Sequence, residues 1–111
     1  MRRGAELLVN LSNDVWLGGG PGPAQHLQMV VLRAVEVRTW VVRATTTGIS
    51  AVIDPRGRVR ARTPFGVEAM LEAEVSPMRI GTVYETAGDV FAWACVAVVF
   101  IAGMLGGRRK R

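Results

Sequence analysis

Gly48-Ile49-Ser50-Ala51-Val52-Ile53-Asp54-Pro55-Arg56-Gly57-Arg58-Val59-Arg60-Ala61-Arg62 reads as a strand, a tight turn and a returning strand. Ile49 to Ile53 is a short apolar run rich in β-branched residues, which fit a pleated, half-buried surface. Asp54-Pro55-Arg56-Gly57 carries Pro and Gly where a β-turn takes them. Val59 to Arg62 pairs back. Arg56, Arg58, Arg60 and Arg62 alternate, so a strand holds them on one solvated side.

Upstream of this hairpin, Trp40 to Ala44 is a second β-branched strand, separated from it by the break Thr45-Thr46-Thr47-Gly48. Before it, Leu27, Val30, Val31, Ala34 and Val35 recur at helical spacing and form one apolar stripe, with Gln25, Gln28, Arg33 and Glu36 off it. Pro23 suits the first position of that helix. Gly18-Gly19-Gly20-Pro21-Gly22-Pro23 is a loop. Glu6 to Leu11 is a short apolar run that fits a buried strand and ends in the turn formers Ser12-Asn13-Asp14. Downstream, Met70, Glu72 and Glu74 alternate with Leu71, Ala73 and Val75, which predicts a half-exposed strand over Ala69–Val75. The class is α+β. The strands Leu7–Leu11 and Trp40–Ile53 are apolar on both sides and want cover on both faces. One helix covers one face, so the other layer is expected from residues outside this chain or from another subunit.

Val90 to Gly107 carries no charge and lies between Asp89 and Arg108. As a helix it is roughly 27 Å long, against a hydrocarbon core of about 30 Å. It is apolar on all sides, Trp93 sits near one end, and Arg108-Arg109-Lys110-Arg111 follows. That pattern predicts a transmembrane helix over 89–107 with a basic cytoplasmic tail over 108–111. In a bacterial protein, residues 1–88 are then expected on the far, periplasmic side of the inner membrane. Met1 to Leu11 has no apolar core long enough for a signal peptide. Cys95 lies inside the apolar run and reads as a small buried hydrophobe, not a nucleophile.

The chain has 111 residues, enough for one small domain. Half of it is hydrophobic, which excludes a disordered polar tail. One Cys excludes an internal disulfide framework and a Cys-rich zinc module. The net charge is +5, most of it in the last residues, so the body lacks the footprint of a nucleic-acid binder. No cofactor and no metal site are expected: the chain has one His, and the Gly18–Gly22 loop lacks the Lys-Ser or Lys-Thr of a phosphate loop. His26 reads as a surface or packing residue at the helix start, since a base needs a nucleophile or an orienter within reach. Asp14 either caps a turn or lines a site. Arg33 and Glu36 form a local pair. Trp16 is either packed on the core or part of a pocket wall.

The order Gly4-Ala5-Glu6-Leu7-Leu8-Val9-Asn10-Leu11-Ser12-Asn13-Asp14-Val15-Trp16-Leu17-Gly18 is similar to the segment after the nucleophile in the nitrilase, or carbon–nitrogen hydrolase, superfamily. Pro23, Gln25-His26-Leu27, Arg33-Ala34-x-Glu36-x-Arg38, Arg43-Ala44-Thr45 and Gly48-Ile49-Ser50-Ala51-x-Ile53-Asp54-x-x-Gly57-Arg58-Val59 continue it. Thr82-Val83-Tyr84, Gly88-Asp89 and a last apolar helix make the chain resemble one branch, the bacterial apolipoprotein N-acyltransferases. Leu17 stands where that branch usually has Phe, and Thr46-Thr47 replace an Asn-containing pair.

The resemblance implies the C-terminal portion of a nitrilase-like αββα sandwich over 1–88. It also implies an acyl transfer from phospholipid, through a Cys thioester, to the N-terminal cysteine of a lipoprotein. The family's Glu, Lys and Cys lie upstream of the matching segment. The only Lys here is Lys110 and the only Cys is Cys95, so no catalytic residue is carried over and the chain alone is expected to be inactive. Asn13, Asp14 and Trp16 are the residues expected on a loop near the pocket. The implied partners are the phospholipid donor, the lipoprotein acceptor, the membrane and the missing N-terminal part, with no nucleic acid. A non-enzymatic truncated product, or a small single-pass membrane protein pairing with a separate half, is the alternative. A tethered amidase domain is a weaker one.

Overall fold

The computed structural model describes residues 4–78 and 80–108, with side chains described as far as Gly106 on the last helix. Its elements are β1 (Leu7–Ser12), a 3-10 turn (Val15–Leu17), α1 (Gly22–Val37), β2 (Trp40–Thr45), β3 (Ala51–Ile53), β4 (Val59–Arg62), α2 (Val83–Ala87) and α3 (Val90–Arg108). The sheet runs in the order β1-β2-β3-β4. β1 and β2 are parallel, with Leu7 opposite Trp40 and Ser12 opposite Thr45. The other two pairings are antiparallel. Parallel neighbours need a crossover, and α1 supplies it.

α1 begins at the Pro21-Gly22-Pro23 segment and ends at Arg38, a non-glycine residue in the left-handed region (φ 47°) whose N–H donates to the carbonyls of Ala34 and Val35. The next residue, Thr39, is buried and donates its hydroxyl to the carbonyl of Glu6 at 2.9 Å, which ties the start of β2 to the approach to β1. The core is the helical stripe against one sheet face. Leu27, Val30 and Ala34 pack on Val41, Ala51 and Ile53, with Leu8, Val31 and Ile49 around them.

The opposite face is open along β1. Val9 is 59% exposed and Leu11 77% exposed, although both are apolar. β1 is also the edge of the sheet. The expectation of a missing second layer therefore has a structural counterpart: among the described residues, nothing buries these side chains.

The β3–β4 turn is built as the sequence indicates. The Asp54 carboxylate accepts the backbone N–H groups of Arg56 and Arg58, both at 2.9 Å. Burial pushes the Asp54 carboxyl up, but those amides, with Arg60 and Arg58 nearby, outweigh it and hold it below the ordinary carboxylate value. Gly57 has φ +79°, and a Cβ there would stand 2.6 Å from Val35 Cγ2. Glycine at this position serves both the turn and the close approach of α1.

Three expectations need correction. Ala69–Val75 is not a strand: alternation needs a ladder partner, and the described sheet ends at β4. β3 starts at Ala51 rather than Ile49 because Ser50 bonds through side chains. Its N–H donates to Thr63 Oγ1 at 3.1 Å, and its own Oγ accepts the Thr45 N–H at 3.1 Å. Cys95 is exposed on α3, not buried.

The transmembrane expectation is not met as such: among the described residues, no helix is long and apolar enough to cross a membrane. The described side chains of α3 run from Val90 to Gly106, roughly 26 Å at the helical rise. They are apolar and exposed throughout, Trp93 included. Thr82 caps α2 by accepting the Glu85 N–H at 3.1 Å, and the Tyr84 hydroxyl donates to Asp89 at 3.2 Å. Residues 109–111 of the basic tail, and Met1-Arg2-Arg3, lie outside the described residues.

Candidate functional site

The C-terminal end of β1 delivers Asn10, Ser12, Asn13 and Asp14 to the mouth of the βαβ unit. α1 brings His26 from its first turns, and β2 brings Arg43 from the strand alongside. Asp14 and Arg43 are each 1% exposed, and they meet at 2.6 Å between Oδ2 and a guanidinium nitrogen. The other guanidinium nitrogens are also occupied. One donates to Asn10 Oδ1 at 2.6 Å, and Nε donates to the carbonyl of Ile49 at 3.3 Å. Asp14 Oδ1 accepts the Ser12 hydroxyl at 2.5 Å and lies 3.0 Å from His26 Nδ1.

His26 Nδ1 also lies 3.2 Å from the guanidinium nitrogen that binds Asp14. One ring nitrogen cannot serve both neighbours. Protonated, it donates to Asp14; unprotonated, it accepts from Arg43. Burial pushes the Asp14 carboxyl up, but the Ser12 hydroxyl and the charges of Arg43 and His26 outweigh it, so the group titrates below the ordinary carboxylate value. Asp14 is therefore a buried anion at neutral pH, held by a full set of donors.

Gly48 closes the cluster from above. A Cβ at that position would stand 2.2 Å from Asp14 Oδ2 and 2.8 Å from its Cγ. Only glycine lets the 45–48 loop lie against the carboxylate. The hydroxyls of Thr45, the last residue of β2, and of Thr47 on this loop are buried with no hydrogen-bond partner among the described residues. A cavity of about 360 Å³ opens beside it, lined by Thr45, Thr46, Gly48, Ser50 and Thr63 among others.

The three expected site residues separate. Asp14 is the buried hinge of the cluster and makes no side-chain cap on the following turn. Asn13 is exposed. Its Oδ1 accepts the Val15 N–H at 3.2 Å and the Thr46 hydroxyl at 2.9 Å, so it ties the two loops together. Trp16 is 77% exposed on the 3-10 turn, so it is not an anchor packed on the core. His26, read as a surface or packing residue, has an orienting carboxylate after all. Arg43 was not singled out by sequence, although the signal was there. Val41 and Arg43 share the inward parity of β2, and a charge in an inward slot calls for a partner.

Chemically, the cluster is a clamp. It contains an orienter and a ring nitrogen, but among the described residues neither a lysine nor a thiol stands with them, and Cys95 is on α3. No group of His, Cys, Asp or Glu among the described residues could hold a metal ion.

The carbon–nitrogen hydrolase family profile matches residues 1–85. The chain is 48% identical over 110 residues, 99% of its length, to the apolipoprotein N-acyltransferase of Geobacter metallireducens. It is 40% identical over 109 residues to the apolipoprotein N-acyltransferase of Nitrosomonas europaea, and 45% identical over 103 residues to that of Bradyrhizobium diazoefficiens. It spans 21%, 22% and 19% of those proteins, about a fifth of each.

Proposed function

This chain belongs to the carbon–nitrogen hydrolase family, and we propose that it is the C-terminal part of an apolipoprotein N-acyltransferase, inactive by itself. The observation that carries the reading is the 48% identity along almost the whole chain to a protein of that name, of which it spans a fifth. In the complete protein, an acyl chain passes from a phospholipid to a thiolate with release of the lysophospholipid, and then to the amino group of an N-terminal cysteine on a lipoprotein, which frees the thiolate and a proton. The Glu, Lys and Cys of that chemistry belong to the part upstream. This chain supplies the loop after β1, with Asp14 clamped by Arg43 and with Asn13 and Trp16 carried toward the pocket.

We place 89–107 across the bacterial inner membrane, residues 1–88 in the periplasm and 108–111 in the cytoplasm. The exposed apolar side chains of α3 and the basic residues after it support this reading. A helix slightly shorter than the bilayer core is accommodated by local thinning and by flanking side chains. The open face of β1 equally fits a separate polypeptide that supplies the upstream half.

The test is acyl transfer in vitro from phospholipid to a diacylglyceryl lipopeptide. The chain alone is expected to show no turnover, and addition of an upstream portion bearing Glu, Lys and Cys is expected to restore it. Turnover by the purified chain free of host enzyme would overturn the reading. So would failure of every upstream portion to restore activity.

A further inference from the structure

A cavity of about 700 Å³ lies at the other end of the sheet from Asp14. Arg38, Arg56, Arg58 and Arg60 line it. Asp54 is the carboxylate among them, and its own oxygens are taken by the backbone amides of Arg56 and Arg58 and by Arg60 at 4.0 Å. Arg38, Arg56 and Arg58 have no carboxylate at ion-pair distance among the described residues. The remaining wall is apolar, with Trp40, Met78 and Ile80 contributing.

The place of this groove in the fold narrows its ligand. Val35 and Arg38 mark the C-terminal end of α1, and α1 is in contact with α2. Met78 and Ile80 line the same groove, and α3 starts at Val90, ten residues after Ile80. The groove therefore opens at the end of the domain from which the exposed apolar helix departs. Guanidinium groups bind phosphate in a fork geometry, and an apolar wall beside them suits an amphiphile.

We propose that this groove is a docking surface for the phosphate headgroups of anionic phospholipid, which seats the domain on the membrane where α3 enters it. The proposal concerns anchoring rather than the reacting acyl donor, and it rests on the membrane placement of α3 given above.

The test uses the protein as its reading frame produces it, in detergent, with native mass spectrometry as the readout. The probes are dihexanoyl phosphatidylglycerol, dihexanoyl phosphatidylcholine and inorganic phosphate. Retention of phosphatidylglycerol over phosphatidylcholine is expected. It should fall about fivefold per arginine removed, roughly 25-fold in R56Q/R58Q. R56K/R58K keeps the charge but not the fork and should retain more lipid than R56Q/R58Q and less than the parent, which guards against misfolding of the Gln variant. Unchanged retention in R56Q/R58Q overturns the proposal. Displacement of the lipid by equimolar inorganic phosphate, or by a single-stranded oligonucleotide, reassigns the groove to a soluble anion and also overturns it. Alkaline carbonate extraction of the same variants separates the two readings. If α3 resists extraction while the arginines have no effect, the groove reading alone fails. If α3 is extracted while the arginine dependence persists, the membrane placement fails and the groove remains a lipid site.

Discussion

Replacing Arg43 by Met isolates what the buried clamp does. Met fills much of the same space but removes the charge that sits 2.6 Å from Asp14 Oδ2. Asp14, 1% exposed, then keeps the Ser12 hydroxyl and His26 but loses its cation. Breaking a buried pair by removing one partner costs about 3–5 kcal/mol, and Asn10 and Ile49 lose a donor as well. The loss should be local, so the assay is amide hydrogen exchange on peptides covering Ser12 to Gly22. At neutral pH, exchange there should accelerate by roughly two to four orders of magnitude, at about 1.4 kcal/mol per tenfold. The sign with pH is also set. In the parent, Asp14 titrates below its unfolded value, so its contribution is present above the unfolded carboxylate range and is lost only as pH falls through the lower folded value. In the variant, desolvation dominates and the carboxyl titrates above its unfolded value. The penalty therefore shrinks on acidification, because a proton on Asp14 neutralises the orphaned charge. After correction for intrinsic rates, the gap between variant and parent should be smaller at pH 4.5 than at pH 7. The double variant D14N/R43M should regain part of the loss. A rate change under tenfold at pH 7, or a gap that does not narrow in acid, would refute this account of the clamp.

Gly48→Ala forces a methyl group to within 2.2 Å of Asp14 Oδ2. It should destabilise by about 1–3 kcal/mol through overpacking alone, with the same Ser12–Gly22 peptides exchanging faster; exchange like the parent's would show that the loop yields. Trp16→Ala removes a side chain that is 77% exposed, so thermal stability should move by less than about 0.5 kcal/mol. If the proposed acyl transfer and pocket placement of Trp16 hold, kcat/KM of a complete enzyme should nevertheless fall by about tenfold, the loss of one aromatic contact surface; unchanged kinetics would sink that placement.

Periodicity located β1, α1, β2 and the β3–β4 turn because each is held by local rules: parity, helical spacing and a Pro–Gly turn. It failed at Ala69–Val75, where alternation was present but no ladder partner was found among the described residues. The clamp was harder to read for a different reason. Asp14, His26 and Arg43 are far apart in sequence and meet only because α1 crosses from β1 to β2 in parallel register. Taken alone, each has an ordinary role: a turn residue, a helix-start histidine, a charged residue in a strand. The inward parity of Arg43 beside Val41 was the one local sign that a buried carboxylate had to be found. Trp16 shows the converse. Its oddity was visible in sequence, but whether it packed inward depended on tertiary contacts.

The open face of β1 joins folding and function. Leu7, Val9 and Leu11 share a face with Trp40, Val42 and Ala44, set by the parallel register. Burying a side chain such as Val9 or Leu11 contributes about 1.5–3 kcal/mol, and the net stability of a small domain is only about 5–15 kcal/mol. A layer laid on this face, with a strand paired to the β1 edge, therefore supplies stabilisation of the same order as the net stability of the whole domain. An exposed apolar edge without that layer is an association hazard. The same strand carries the Asp14 loop at its end, so whatever covers β1 also fixes where Asn13 and Trp16 stand relative to its own residues. On the reading proposed above, an upstream part would have to complete this fold before it could complete the chemistry.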